Sequence, residues 1–314
     1  MRRIGMMFPG QGSQAVGMLA DLASEHAAIQ RTFDEASAAI GEDLWALAQQ
    51  GPAERLDRTE NTQPVLLTAS VALWRAWLEA HGPAPLVASG HSLGEYSALV
   101  AAGALELPDA VCLVRERGRL MQAAVPPGEG TMAAILGLDA DVVEDCCRKA
   151  AADGVVAPAN FNAPGQVVIA GDAAAVERAI SACKEAGARR AMGLAVSGPF
   201  HCALMQPASE PFDAELAAAD FLLPAFPVIQ NLDAQASSDV DAIRRRLLEQ
   251  LYSPVRWTDC VAAMAAAGAE VLIECGPGKV LTGMVKRIDR QLEAASLGDA
   301  AGFRVALDLV RGDA

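Results

Sequence analysis

Short apolar runs alternate with longer helical patterns along this chain, and glycine-rich turns separate them. The run Ile4–Phe8 is all apolar apart from Gly5 and is closed by Pro9-Gly10-Gln11-Gly12-Ser13-Gln14. It predicts a buried strand, with a helix following from about Val16. Residues 64–79 predict a buried helix with Pro64 in its first turn. Residues 86–89 predict a second short strand, which runs into Gly90-His91-Ser92-Leu93-Gly94 and then a further helix. Near the C-terminus, Glu270 to Arg287 repeats the sequence strand, turn, helix. Such recurrence predicts an α/β fold with a mainly parallel sheet.

The texture changes at Ala124 to Thr131, where two prolines and two glycines crowd into AVPPGEGT. Beyond it the pattern predicts strand (132–136), helix (141–152), strand (155–161), strand (166–171), helix (173–186) and strand (189–196). The order βαββαβ is that of a ferredoxin-like unit. Residues 125–196 are therefore expected to form a small inserted subdomain, with 1–124 and 197–314 making a discontinuous large α/β domain.

Composition narrows the function classes. The chain has 314 residues, 52% apolar but only 4% aromatic, so its core is built from Ala, Val, Leu and Ile. A net charge of −14 argues against a nucleic-acid binder, which needs a basic surface. The seven cysteines are odd in number, with none at C-x-x-C spacing. Neither a zinc site nor a disulfide framework is expected, and reduced thiols suit a cytoplasmic protein. The apolar run before Pro9 is too short for a signal sequence, and no run is long enough to span a bilayer.

The chemistry starts at Ser92. A serine in Gly-x-Ser-x-Gly, after a strand and before a helix, is the pattern of a nucleophile elbow. The competing explanation is a glycine turn whose serine caps the helix, since Ser92 with Glu95 also fits a capping box. In the elbow, the Leu93 N–H stands at the helix start, where it can hold a developing oxyanion. A second donor is the N–H of Gln11, flanked by Gly10 and Gly12. A serine nucleophile needs a base. Of the four histidines, His26 and His81 sit in surface-like helical contexts and His91 adjoins the serine; His201, in VSGPFHC, remains. No acidic residue is singled out as an orienter, and a backbone carbonyl is the alternative.

Gly10 to Ala15 also fits the dinucleotide fingerprint G-x-G-x-x-G/A, with Asp34 or Glu35 at the distance of the ribose acid. That would make the protein a nicotinamide-dependent oxidoreductase. Pro9 and the lack of a strand ending at Asp34 count against it. The turn at Gly276 to Val280 lacks the glycine–lysine spacing of a P-loop.

Residues 109–122 predict a helix opened by Pro108. Its apolar arc holds Ala110, Leu113, Val114 and Met121, and Arg117 falls in the middle of that arc. A buried guanidinium demands an anionic partner. Two partners remain open: an internal Asp or Glu, or a carboxylate on the substrate.

Beyond these readings, the chain resembles the malonyl-CoA:acyl carrier protein transacylases over nearly its full length. The resemblance is carried by FPGQGSQ, TQPVLL, GHSLGEYSAL, RGRLMQ, NFNAPGQVVIAG, SGPFHC, QLYSPVRW and GPGKVLTG. It implies a large α/β hydrolase-like domain with a ferredoxin-like insert. Ser92 would be the nucleophile and His201 the base, with Gln250 orienting His201 through its backbone carbonyl. Gln11 and Leu93 would supply the oxyanion N–H groups, and Arg117 would pair with the malonyl carboxylate. Met121 and Phe200 would line the acyl pocket, with Asn160 and Gln63 nearby. Phenylalanine directly before the histidine goes, in related domains, with malonyl rather than methylmalonyl groups. The implied reaction is ping-pong, without a cofactor, between malonyl-CoA and holo acyl carrier protein, with neither nucleic acid nor membrane as partner. A serine hydrolase using the same residues on water is the other enzyme class consistent with them. The adjacent basic pairs Arg189-Arg190 and Lys286-Arg287 are either a docking patch for an acidic carrier or solvated surface charge.

Overall fold

Nine strands occur in chain order in the computed structural model, which describes residues 2–312. They are β1 (Ile4–Phe8), β2 (Val87–Gly90), β3 (Gly130–Leu136), β4 (Val156–Ala163), β5 (Gln166–Asp172), β6 (Arg190–Gly193), β7 (Val228–Ile229), β8 (Val271–Glu274) and β9 (Glu293–Ser296). They form two separate sheets, one parallel and one antiparallel, in a mixed α/β fold.

The parallel sheet has the order β7-β2-β1-β8-β9. Every residue of β1, β2 and β8 is buried. This is why these strands read as continuous runs and not as alternations: both faces are covered. The central pair aligns Phe8 with Gly90, so the turns after β1 and β2 leave the same edge of the sheet side by side.

The antiparallel sheet has the order β4-β5-β3-β6. Here the alternation of period two is visible. On β3, Ala133 and Ile135 join an apolar cluster with Val143, Cys147, Val176 and Ile180 from the Ala140–Ala151 and Ala173–Glu185 helices. Met132 faces the other way, into the cluster that contains Met121 and Phe200. One face of this sheet thus packs on its own two helices and the other on the larger core. The β4 strand also reaches outside its sheet: Phe161 N–H donates to the Val255 carbonyl at 2.9 Å, and Val255 N–H to that of Ala159 at 2.8 Å.

Several helix boundaries depart from expectation. The helix expected to open at Pro64 spans Thr59–Glu79, so Pro64 lies inside it. Pro64 is the sixth residue of this helix, so it costs the one N–H bond that would reach the carbonyl of Glu60, and the helix continues past it. The helix expected from about Val16 begins at Ala20, since positive φ values at Gly17 and Leu19 (85° and 63°) hold the chain out of helix. The Leu107–Ala123 helix has its proline in the first turn, as anticipated. The last strand of the antiparallel sheet ends at Gly193, not at 196.

All seven cysteines are free thiols, and only Cys112 is exposed. Among the described residues, no helix is long and apolar enough to cross a membrane, and no group of three or more His, Cys, Asp or Glu side chains is placed to hold a metal.

Candidate active site

The turn after β2 is tight enough to dictate its residues. A Cβ on Gly90 would lie 1.9 Å from the Gly94 carbonyl carbon, and one on Gly94 would lie 2.0 Å from the Phe8 carbonyl oxygen. Only glycine fits at either position. Between them Ser92 takes φ of 52°, a left-handed conformation rarely adopted by serine. Asn231, just beyond β7, braces this strained turn. It accepts from the Ser92 N–H at 2.7 Å and donates through Nδ2 to the Gly90 carbonyl at 2.7 Å.

The capping alternative does not hold. The Gly94–Ala101 helix has no side-chain cap, and the Ser92 hydroxyl turns instead to His201. It lies 2.7 Å from His201 Nε2. On the other side of the ring, Nδ1–H donates to the Gln250 backbone carbonyl at 2.8 Å. A carbonyl only accepts, so this bond places the proton on Nδ1 and leaves Nε2 free to accept from serine. His201 is 4% exposed and also has positive φ, at 61°. Burial, and then the nearby Arg117 charge, push its pKa down to about 3. The imidazole is therefore neutral at neutral pH and ready to take a proton.

Arg117 lies wholly buried behind Ser92. Its NH1 donates to Gln63 Oε1 at 2.9 Å, and its NH2 to Gln250 Oε1 at 2.9 Å and to Ser92 Oγ at 3.2 Å. The Tyr96 ring centre is 5.4 Å from its Cζ. No carboxylate forms an ion pair with it, and its Nε has no hydrogen-bond partner among the described residues. The internal acidic partner left open by the sequence is thus absent from direct contact.

In front of Ser92 opens a cavity of about 460 Å³ bordered by Gln11, Ser92, Met132, Asn160, Phe200 and His201, among others. Both sheets contribute to it. Gly10 packs against the His91 backbone, where a Cβ would meet the carbonyl oxygen at 2.5 Å. That close approach sets Gln11 beside the elbow. The N–H groups of Gln11 and Leu93 make no hydrogen bond among the described residues. Two free donors beside a hydroxyl are what an oxyanion needs.

The remaining expected residues stand at different depths. Phe200 and Asn160 border the cavity, whereas Met121 stands back from it, against Gln63 Nε2 at 3.7 Å. Gln63 holds Arg117. His91 donates from Nε2 to Asn162 Oδ1 at 2.8 Å and so ties the elbow to β4. The glycines of the proposed dinucleotide fingerprint lead into turns, not a helix, and Glu35 pairs with Arg75 at 2.6 Å on an outer helix. That geometry removes the nicotinamide reading. Glu95, Gln230 and Asn231 form a buried network that sequence reasoning did not find; Glu95 was visible only as a capping residue.

Fold and site together define a serine acyltransferase. The chain belongs to the acyl transferase domain family, which it matches over residues 6–303. Its particular relatives are malonyl CoA-acyl carrier protein transacylases. It is 56% identical to that of Escherichia coli (strain K12) over 98% of this chain and all of the relative, and 46% identical to that of Bacillus subtilis (strain 168) over 99% and 98%. An acyl carrier protein S-malonyltransferase structure from Vibrio cholerae superposes with a TM-score of 0.95 at 55% identity, covering 96% of this chain and 99% of that one. A further structure, a malonyl-transacylase in complex with its type II PKS acyl-carrier protein, gives 0.96 at 52% identity, covering 98% and 99%.

Proposed function

We propose that the protein moves a malonyl group from malonyl-CoA to the phosphopantetheine thiol of holo acyl carrier protein. The observation that carries this is Arg117: a wholly buried guanidinium, 3.2 Å from the Ser92 hydroxyl, with no carboxylate among the described residues paired to it. An acyl group with a free acid at its far end supplies that partner. The acid displaces the contact between Arg117 NH2 and Ser92 Oγ and forms an ion pair in its place.

In the first half-reaction Ser92 Oγ attacks the thioester carbonyl while His201 Nε2 takes its proton. The carbonyl oxygen gains charge opposite the Gln11 and Leu93 N–H groups. The carbon–sulfur bond then breaks, the CoA sulfur leaves with the proton from His201, and malonyl-serine remains. In the second, the carrier thiol gives its proton to His201 and attacks the ester, and Ser92 Oγ leaves with that proton. The Gln250 carbonyl keeps the imidazole in one tautomer throughout. Every proton is returned, so no cofactor is required. Phe200 shapes the cavity wall, and Met121 acts from behind through Gln63.

We assign residues 125–196 to a ferredoxin-like insert in an α/β hydrolase-like domain formed by 1–124 and 197–314. The order of β3 to β6 in their sheet supports this division. A cytoplasmic setting agrees with the free thiols.

Arg117→Ala tests the proposal. Malonyl-CoA loading is expected to fall by about 10²-fold or more, as for loss of a charge-assisted bidentate contact. Acetyl-CoA loading is expected to change little. An unaltered malonyl-to-acetyl ratio would remove Arg117 from substrate recognition.

A further inference from the structure

Arg117 carries a positive charge into the protein interior, and something must balance it before substrate arrives. The nearest buried anion is Glu95, on the helix that starts at the elbow, and it is 0% exposed. Its carboxylate accepts from Gln230 Nε2 at 3.0 Å, from the Asn231 N–H at 2.7 Å and from Gln250 Nε2 at 3.0 Å. Three N–H donors on two oxygens suit the ionised form.

Gln250 sits between the two charges. Its amide nitrogen faces Glu95 and its amide oxygen accepts from Arg117 NH2 at 2.9 Å. The amide dipole is thus aligned from anion to cation, and Glu95 shares the holding of its nitrogen with the Ser92 carbonyl at 3.2 Å and Asn231 Oδ1 at 3.3 Å. The same residue gives its backbone carbonyl to His201.

We propose that Glu95 is a specificity-determining residue, the resting counter-charge of Arg117 relayed through Gln250, against which an incoming acyl carboxylate must compete for the guanidinium. The inference rests on the assignment of Arg117 to the acyl carboxylate. When that carboxylate binds, the buried site holds two anions and one cation. Glu95 restores the balance by taking a proton from solvent. By reciprocity, a protonated Glu95 favours acidic acyl groups, and an ionised one weakens their hold.

The charged and titratable groups around Glu95 are few. Arg117 faces it from the Leu107–Ala123 helix, Tyr96 from its own helix and Cys260 from the Trp257–Ala266 helix. Gln230, Asn231 and Gln250 are neutral. Arg246 stands farther out, 3.4 Å from Gln230 Oε1 and paired with Asp233 at 2.7 Å. Burial raises the Glu95 carboxyl to about 7, against the pull of its three donors and Arg117. Its proton is therefore exchangeable near neutral pH.

The test compares loading of malonyl-CoA and acetyl-CoA by wild type, Glu95→Gln and Arg117→Ala. Glutamine keeps the shape and an oxygen toward Gln250 and Asn231 but removes the charge, and its NH2 meets Gln230 Nε2, so the Gln230 amide must turn over. Glu95→Gln is expected to lower the malonyl-CoA KM about tenfold relative to the acetyl-CoA KM, whatever change in rate the two substrates share. The wild-type malonyl KM rises as pH climbs through about 7, and that of the variant stays flat. A structural anchor alone would lower both loading rates together with no pH difference, and that result would overturn the proposal. If Glu95→Gln does not fold, proton uptake decides on wild type alone. Malonyl loading at pH 7 takes up a fraction of a proton per site and acetyl loading none, because the released thiol stays protonated there. Equal uptake in both overturns the proposal. An Arg117→Ala enzyme that keeps its malonyl preference sinks the Arg117 assignment and this inference with it. A loss of preference there, with Glu95→Gln indistinguishable from wild type, sinks this inference alone.

Discussion

At Ser92 and His201 the backbone is as unusual as the chemistry. Both residues take positive φ, and the two side chains meet at 2.7 Å although 109 residues separate them in sequence. Removing the Ser92 hydroxyl, in Ser92→Ala, is expected to abolish acyl-enzyme formation. His201→Ala is expected to lower kcat by at least about 10³-fold, on the scale of other serine–histidine sites. Because burial and Arg117 hold His201 near 3, kcat at saturating malonyl-CoA stays level as pH falls through 6.5. A half-maximal point at 6.5 would mean an ordinary, solvated imidazole. Stability shows the same shift. The folded pKa is depressed, so the unfolded state binds more protons between about 3 and 6.5. Relative to His201→Gln, wild type should lose about 1.4 kcal/mol of unfolding free energy per pH unit as pH drops across that window. Equal slopes in the two proteins would count against it.

Ser92, His201 and Arg117 could be read from local pattern: a glycine-framed serine, a histidine left by elimination, a charge on an apolar arc. Gln250 could not, because an orienter that works through its backbone carbonyl has no side-chain signature, and only the family resemblance pointed to it. Glu95 and Asn231 were hidden for another reason. Their partners lie 136 and 139 residues away, and short-range patterns carry no such pairing.

Among the elements, the two long helices set where Arg117 points. The Thr59–Glu79 helix supplies Gln63, and the Leu107–Ala123 helix supplies Arg117 itself. They meet at Gly118, where a Cβ would lie 2.7 Å from the Thr59 carbonyl and 2.9 Å from Glu60 Cα. Gly118→Ala must push the helices apart. It is expected to cost about 1–3 kcal/mol of stability by overpacking. It should also reduce malonyl over acetyl preference, since Arg117 is the neighbouring residue; a melting curve and paired loading assays check both. Unchanged preference would show that Arg117 is placed independently of this contact. Of the parallel strands, β1, β2 and β8 were legible because they are wholly buried runs, whereas β7 has only two residues and β9 is half-buried Glu-Ala-Ala-Ser, and neither was foreseen. Helix starts were less so. Pro64 suggested a start that the chain passes through, and positive φ at Gly17 and Leu19 delayed another.

For the molecule as a whole, the charge of −14 makes docking of an acidic carrier a local matter. Leu136 of β3 pairs with Gln166 on one side and Arg190 on the other. Arg287 donates to Gln166 Oε1 at 2.5 Å, so both basic pairs gather at one end of the antiparallel sheet. If they form the docking patch, reversal of Arg190 and Arg287 to Glu raises the carrier KM about tenfold or more, and added salt weakens the wild type in the same direction. The malonyl-CoA KM stays unchanged. A carrier KM indifferent to both substitutions would leave these residues as solvated charge.

In the proposed function Ser92 holds a malonyl group and passes it to a carrier thiol. Intact-protein mass tests it most directly, measured after mixing with malonyl-CoA and again after adding holo acyl carrier protein, with Ser92→Ala alongside. The expected result is a gain of one malonyl group, absent from the variant, that moves to the carrier. A gain that decays equally fast without carrier would mean that water, not the thiol, is the acceptor. No gain at all would contradict the account at its root.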